Sequence, residues 1–201
     1  NRTPVKAAYQ MNQGGFVSIA LGTYDHSARL VIDPELVMTR FFFGTRTDTA
    51  ISVGHDNHGF VYIAGNTQST DFYLLGETYF NTNSGRQDIW VMKLDPRSAD
   101  ESTRVPYSTY VGGLGIETVR AMAVDPVTGL VYLTGSTTTA TQFPEVTSFQ
   151  RTNQGGTDAF LAVLDPTKTL FASVVHLAFV GGTGTDEGRG IAVFNGKAYI
   201  T

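Results

Sequence analysis

Two stretches of this chain repeat each other 70 residues apart, and this repetition constrains the fold more than any other feature. GFVYIAGNT at 59–67 returns as GLVYLTGST at 129–137. DIWVMKLDP at 88–96 returns as DAFLAVLDP at 158–166. A third copy starts with LAFVGG at 177–182, which parallels STYVGG at 108–113. Self-similarity at a fixed period is the signature of a repeat architecture, in which each unit is one supersecondary structure.

Each unit is composed of short runs rich in β-branched and aromatic residues, separated by turn signals. In the second unit the runs predict strands at 118–125, 130–137, 158–165 and 174–181. The sequence Asp-Pro-Val-Thr-Gly at 125–129 predicts a tight turn, because proline presets φ and glycine accepts a positive φ. No stretch combines helical periodicity with capping residues and sufficient length, so no helix is predicted.

Four strands per unit, repeated at a fixed period without helices, predict an all-β fold made of β-propeller blades. The period of about 70 residues exceeds the roughly 40–50 of the common propeller families, and the surplus lies in the long connection at 138–157. The predicted units are the end of a preceding β domain at 1–38, repeats at 39–107 and 108–176, and the start of a third repeat at 177–201. We expect such an arc of blades not to be an autonomous monomer, because its end blades would expose apolar faces.

Five motifs in fixed order resemble the bacterial SBBP β-propeller repeat: STYVGG (108–113), AVD (123–125), VYLTGST (131–137), FP (143–144) and GTDAF (156–160). The resemblance covers about residues 39–201, and residues 24–34 resemble the end of the domain that commonly precedes such repeats. The first repeat departs from the pattern, since Phe43-Gly44 replaces a glycine pair and Tyr73 replaces a proline. The resemblance implies a seven-bladed propeller in a large exported or surface-associated bacterial protein, without assigned enzymatic activity.

Composition excludes several other classes of protein. A hydrophobic fraction of 41% with 16% charged residues is unlike a disordered chain, and no apolar run approaches the roughly 18 residues of a membrane helix. A net charge of −4 argues against a nucleic-acid partner. The absence of cysteine excludes disulfides, thiolate catalysis and zinc–thiolate sites.

The glycines and aspartates that recur with the unit are interpreted as structural repeat positions. The aspartates would cap turns or begin strands; the alternative is a structural calcium ion held by loop carboxylates. The glycines would allow tight turns or a close approach of the backbone. These positions are Gly59, Gly65, Gly112, Gly113, Gly129, Gly135, Gly181, Gly182, Asp88, Asp95, Asp158 and Asp165, with Asp125 in the same role.

Three groups of residues carry alternative chemical hypotheses. His55, Asp56 and His58 are candidate metal ligands, although a solvent-facing turn explains them equally. Glu117 and Glu187 lie beside glycine-rich turns, where a glycosidase or lyase would place carboxylates around a central channel; the alternative is turn capping. Tyr73, Tyr79 and Phe80 are candidates for stacking on a sugar. Phe41–Phe43 are interpreted as a strand packed between the N-terminal segment and the first blade.

The predicted function is that of a non-enzymatic scaffold for adhesion, surface assembly or protein–protein contact, with no catalytic residue and no cofactor. A rigid propeller carries variable loops, and function is expected in those loops. The alternative is a carbohydrate-active or ligand-binding propeller with its site at the central channel. The expected partners are other blades of a longer chain, partner subunits or a surface glycan. The expected location is extracellular, cell-surface or periplasmic.

Overall fold

The computed structural model describes residues 3–11, 17–31, 41–72, 74, 83, 86–140 and 152–201. The chain divides into two compact units, Asn1–Val37 and Met38–Thr201. In the first unit, β1 (Ala7–Met11) and β2 (Val17–Leu21) pair as an antiparallel hairpin.

The second unit begins with a four-stranded antiparallel sheet, here called blade 1, whose strands are adjacent in chain order. A single helical turn, α1 (Glu101–Arg104), connects its last two strands. The four strands are β3 (Asp48–His55), β4 (Val61–Thr67), β5 (Asp88–Leu94) and β6 (Tyr107–Val111). The turn between β3 and β4 closes at Gly59, which has φ +86° and so needs a residue without a Cβ.

A second sheet, blade 2, repeats this topology, and each of its strands begins and ends within one residue of the prediction. It consists of β7 (Glu117–Val124), β8 (Val131–Thr137), β9 (Asp158–Leu164) and β10 (Val174–Val180), with one 3₁₀ turn at Leu170–Ser173 before β10. A hairpin of β11 (Ile191–Phe194) and β12 (Lys197–Ile200) follows. The all-β architecture of four-stranded blades is therefore confirmed.

The sheets and the sequence repeats are offset by one strand. The sequence repeat at 108–176 starts inside β6, the last strand of blade 1, and continues through the first three strands of blade 2. Between the two sheets, a single parallel bridge joins Gln87 to Ile116. A matching bridge joins Thr157 to Thr185 ahead of the β11–β12 hairpin. Each junction between consecutive sheets thus has the same backbone connection.

Alternating side chains give each blade two apolar faces. The back face of blade 1 contains Tyr62, Ala64, Ile89 and Val91, and it packs against the front face of blade 2, which contains Val131, Leu133, Phe160, Ala162 and Leu164. The front face of blade 1 contains Val61, Ile63, Trp90, Met92 and Leu94, and it forms a second cluster with Phe72, Val105 and Tyr110. Burial on both faces explains the near-continuous apolar sequences of β5 and β9, since each large buried side chain contributes about 1.5–3 kcal/mol.

Two recurring glycines lie within strands, opposite bulges in the neighbouring strand. The register of β3 against β4 shifts between Ala50 and Ser52, beside Gly65. The register of β7 against β8 shifts in the same way beside Gly135. A Cβ at Gly65 would fall on the carbonyl oxygen of Thr49, and one at Gly135 would fall on that of Thr118. These glycines are therefore required by a close backbone approach.

Candidate functional site

A buried carboxylate organises the end of blade 2 where the glycine pairs lie. Glu117, the first residue of β7, is 0% exposed. Its Oε1 accepts hydrogen bonds from the hydroxyls of Thr137 at 2.7 Å and Thr139 at 2.5 Å, and its Oε2 accepts one from the Gly113 N–H at 2.8 Å. Three donors satisfy the oxygens of this buried carboxyl group, as burial of a polar group requires. Glu117 thus holds the glycine turn against the end of β8.

The same arrangement recurs in blade 1. There Asp48 accepts from the Thr67 hydroxyl at 2.5 Å, the Ser69 hydroxyl at 3.1 Å and the Gly44 N–H at 2.7 Å. We call each such carboxylate with its donors an acid node. Ahead of the β11–β12 hairpin, Asp186 accepts from the Gly182 N–H at 2.9 Å. The glycine N–H contact of the acid node thus recurs at the start of both blades and of the β11–β12 hairpin.

Sequence analysis missed the acid nodes, although they have a signal. In all three units a glycine precedes the acid by four residues: Gly44 and Asp48, Gly113 and Glu117, Gly182 and Asp186. A Thr-x-Ser/Thr sequence ends the second strand in both complete blades, at 67–69 and 137–139. The hydroxyls of that sequence are the side-chain donors of the node.

The two carboxylates proposed for a central channel have different surroundings. Glu117 is enclosed in its acid node, whereas Glu187 lies between two arginines, with Arg120 Nε at 2.5 Å and Arg189 Nε at 3.0 Å. The hydrogen bond from Arg120, with smaller help from Arg189, holds the pKa of Glu187 below its usual value. Both carboxylates are therefore engaged with protein donors.

The recurring aspartates at the start of the third strands lie beside these nodes. Asp88 and Asp158 are buried, and Asp158 Oδ2 accepts from the Gln154 N–H at 2.9 Å. A Cβ at Gly112 would come within 2.5 Å of the carboxyl carbon of Asp88, and one at Gly181 within 2.7 Å of that of Asp158. The first glycine of each pair therefore makes room for a carboxylate. Within the described ranges, no three His, Asp or Glu side chains form a group that could hold a metal ion.

The opposite end of the blades carries short turns built on aspartate. Asp56 Oδ1 accepts from the N–H groups of His58 at 2.9 Å and Phe60 at 3.0 Å, and Oδ2 accepts from the Tyr62 hydroxyl at 2.8 Å. Burial opposes ionisation of Asp56, but the hydrogen bonds from Phe60, Tyr62 and His58 outweigh it and lower its pKa. Asp125, Asp165 and Asp95 cap their own turns in the same way, accepting from backbone N–H groups two residues on.

The histidine candidates do not converge on a common point. His55 Nδ1 lies 3.2 Å from the carbonyl oxygen of Asp56, whereas His58 Nε2 donates to the carbonyl oxygen of Val127 in blade 2, also at 3.2 Å. The Asp56 carboxylate is occupied by three protein donors. The arrangement makes His58 a link between two turns of neighbouring blades.

We therefore expect zinc ions in molar excess to leave the melting temperature of the protein unchanged, because a metal stabilises only a fold that binds it. His55→Ala and His58→Ala should each change the free energy of unfolding by no more than about 0.5 kcal/mol, as is usual for exposed positions. Thermal melts with zinc and with a chelator test both statements. A zinc-dependent rise that either substitution removes would restore the metal hypothesis.

A lysine that sequence analysis did not single out is buried beside the same turn. Lys93 is 9% exposed, and its Nζ lies 4.0 Å from the centre of the Phe60 ring. Burial lowers its pKa, although Asp56, Asp165 and Asp95 favour the charged form. The corresponding residue of blade 2 is Val163, so this charge is a feature of the first repeat alone among the two complete ones.

Lys93→Met should raise the melting temperature at neutral pH, because the fold holds the ammonium at a net cost relative to water. Between the lowered pKa and the usual 10.5, the unfolded chain keeps a proton that the folded chain has released. The free energy of unfolding of the unaltered protein therefore rises with pH relative to that of the variant. The stability advantage of the variant should narrow as the pH approaches 10.5. Urea titrations at about pH 7 and pH 10 measure the difference, with the exposed Lys197→Met as control. A stability difference between the two proteins that widens with pH would contradict the lowered pKa of Lys93.

The structure describes some of the aromatic candidates and not others. The predicted strand at Phe41–Phe43 is wrong: these residues have no regular secondary structure, and Phe41 and Phe43 are 81% and 68% exposed. Phe42 packs against the front face of blade 1. Tyr73, Tyr79 and Phe80, and the FP motif at 143–144, lie outside the described residues.

Comparison with known proteins agrees with the fold. Residues 43–73 match the SBBP family, described as a beta-propeller repeat. The matched segment includes the acid node of Asp48, the β3–β4 hairpin and the aspartate turn between them. The suspected resemblance to the SBBP repeat is thus confirmed. No curated protein matches the chain, and among the described residues no helix is both long and apolar enough to span a membrane.

Proposed function

We propose that these SBBP β-propeller repeats form a non-enzymatic interaction scaffold in an exported or cell-surface bacterial protein, serving adhesion or protein–protein assembly. The observation that carries the proposal is an asymmetry between the two ends of the blades. Between β4 and β5, and again between β8 and β9, 20 residues of chain (68–87 and 138–157) leave the end that carries the acid nodes. At the other end, β3 joins β4 and β7 joins β8 through short aspartate turns. Long connections on a rigid scaffold are where binding residues concentrate.

The state of the carboxylates supports a scaffold over a hydrolase. A glycosidase needs two carboxyl groups facing an open site, with one of them protonated at working pH. Here Glu117 is buried and accepts from hydroxyl and N–H donors, as the half-buried Asp48 also does, and the arginines lower the pKa of Glu187. Each of these three carboxylates thus stabilises a turn or forms ion pairs with neighbouring arginines. A glycan-binding or carbohydrate-active propeller is the alternative.

The proposal is tested by replacing residues 141–151 with a Gly/Ser segment of equal length. We expect binding of the labelled protein to intact producing cells, measured by flow cytometry, to be lost without a change in melting temperature. The control is Val127→Ser in an aspartate turn, where the side chain is 69% exposed; binding should be retained. Equal binding by both variants would contradict the assignment of the loop end.

Two further measurements address the location and the alternative. Protease treatment of intact producing cells should remove the protein from a surface scaffold and spare a cytosolic one. A glycan array should give no signal above background. A glycan signal that disappears with the replacement at 141–151 would favour the carbohydrate-binding alternative over a protein partner.

A further inference from the structure

Blade 2 and the third repeat each place an arginine at a β-bulge. In blade 2, Arg120 is the extra residue of the bulge in β7 beside Gly135. In the third repeat, the N–H groups of Arg189 and Gly190 both donate to the carbonyl oxygen of Thr201, at 2.7 and 3.3 Å, so two residues oppose one. Bulges redirect a side chain and are over-represented beside active sites. The two repeats thus use the same backbone feature to direct an arginine side chain.

The two arginine side chains meet at one carboxylate. Glu187 Oε1 accepts from Arg120 Nε at 2.5 Å, and Oε2 accepts from Arg189 Nε at 3.0 Å. Because both guanidinium groups contact the same carboxylate, they lie side by side at the junction of blade 2 and the third repeat. Two positive charges there face one negative charge. The cluster is therefore a positive site in a chain whose net charge is −4.

The backbone beneath this cluster is held in place by blade 2. Gly188, between Glu187 and Arg189, is buried, and its N–H donates to the carbonyl oxygen of Gly135 at 3.0 Å. A Cβ at Gly188 would fall on the hydroxyl oxygen of Thr134 in β8. The charged residues on either side of Gly188 are therefore presented by a fixed backbone. Such preorganisation lowers the entropic cost of binding a ligand.

The arginines keep most of their hydrogen-bonding capacity. In a bidentate pair, one guanidinium group binds both oxygens of a carboxylate, but here the two oxygens are divided between two arginines through their Nε atoms. The terminal nitrogens of Arg120 and Arg189 make no other hydrogen bond within the described part of the chain, and the side chains are 51% and 80% exposed. Since each guanidinium carries five N–H donors in a planar fork, the terminal donors are available to a ligand.

The charged residues are additions to the repeat that the fold does not need. Blade 1 has Ile51 at the bulge position of Arg120. The position of Glu187 is occupied by Thr118 in blade 2 and by Thr49 in blade 1. Blade 1 nevertheless forms the same bulge and the same sheet. Exposed ion pairs also contribute little to stability, so a binding role accounts for the cluster better than a structural one.

We propose that Arg120 and Arg189 form a binding site for a small oxyanion, such as phosphate, sulfate or a carboxylate group. Their terminal N–H groups donate charge-assisted hydrogen bonds to the oxygens of the anion. Two adjacent cations suit a single oxyanion group, whereas a nucleic-acid backbone needs many contacts along an extended basic surface. The site belongs to the first strands of neighbouring repeats and not to the long connections, so the inference goes beyond the proposed function.

The test is calorimetric titration of the 201-residue protein with inorganic phosphate, at an ionic strength held constant with sodium chloride because salt screens exposed charges. We expect saturable binding of one phosphate per chain. Arg120→Gln and Arg189→Gln should each lower the association constant about ten-fold, since each removes charge-assisted hydrogen bonds. The matched control is Lys197→Gln, which removes one positive charge from an exposed position of β12 and should leave phosphate binding unchanged.

Two further comparisons separate the guanidinium geometry from charge and a free anion from an organic ligand. Arg120→Lys and Arg189→Lys keep the charge but lose the planar fork, so they should bind phosphate several-fold more weakly than the unaltered protein. Glucose 6-phosphate carries the same oxyanion on a sugar. Equal affinity for it and for phosphate would identify a site for the oxyanion alone, and tighter binding would identify an organic phosphate as the ligand.

The melting temperature without phosphate should change little in the arginine variants, because both ion pairs are solvent-accessible. A lack of saturable phosphate binding would overturn the proposal. An equal loss of affinity in Lys197→Gln and Arg120→Gln would overturn it as well, since binding would then follow net charge alone. Neither result depends on residues 141–151 or on binding to cells, so the proposed function stands or falls separately.

Discussion

Gly135→Val should be among the most damaging single substitutions in this protein, lowering the free energy of unfolding by about 3 kcal/mol, the upper end of the usual cost of overpacking. The new Cβ would fall on the carbonyl oxygen of Thr118 and within 3.0 Å of the Val119 Cα. Both are backbone atoms, so no change of rotamer relieves the clash, and the bulge of β7 must move. Gly65→Val meets the Thr49 carbonyl in the same way and should behave alike.

A matched glycine provides the control for this experiment. A Cβ at Gly156 meets nothing within 4 Å, so Gly156→Val should leave the melting temperature close to that of the unaltered protein. For a domain of this size each kcal/mol corresponds to about 2–4 °C, so the two glycine variants should be well separated in thermal melts. If Gly135→Val were no worse than His55→Ala, the bulge would not be a fixed element of the blade.

Glu117→Ala should cost at least about 3 kcal/mol, since a hydrogen bond to a charged group contributes about 1.5–3 kcal/mol and three are lost. The change leaves the Gly113 N–H and the hydroxyls of Thr137 and Thr139 in the interior without their acceptor. Urea unfolding followed by circular dichroism measures the loss. Glu117→Gln keeps the shape but turns an amide NH₂ toward these donors, so we expect an intermediate loss.

The second proposed channel carboxylate serves as the comparison. Glu187 forms solvent-accessible ion pairs with Arg120 and Arg189, and such pairs contribute about 0–1 kcal/mol. Glu187→Ala should therefore be mild. The opposite ranking, with Glu117→Ala harmless to stability, would mean that the acid node does not hold the turn and would reopen a catalytic role for Glu117.

The strands could be predicted from the sequence because each repeat has the same pattern of apolar residues on both faces of its blade. Residues such as Val131 and Leu133 recur at matched positions, and the turn at 125–129 marks where one strand ends and the next begins. The roles of Gly65 and Gly135 were harder to foresee, because the carbonyl that excludes a side chain comes from a bulge in another strand. Bulges depend on pairing between strands and leave little trace in a single strand's sequence.

The candidate site was predicted less well, for a physical reason that differs between its parts. The histidines at 55 and 58 are close in sequence, but a β-turn directs their rings to different carbonyls. Glu117 is a candidate reactive group in the sequence because a carboxylate can act in catalysis. Its partners Thr137 and Thr139 are common residues some 20 positions away, so the sequence does not indicate that they bind it. Lys93 gave no signal, since a lysine within a strand is normally solvent-facing.

The one-strand offset between sequence repeat and sheet bears on how such a protein can lengthen during evolution. A genetic segment that begins at residue 108 encodes most of the last strand of one sheet, the Gly112–Ile116 joint and the first three strands of the next sheet. Tandem duplication of that segment therefore supplies both partners of a new joint, Thr157 from one copy and Ile116 from the next, together with the acid that fixes its turn. A blade added in this way already contains the residues that contact its neighbour. Selection can then diversify the long connections.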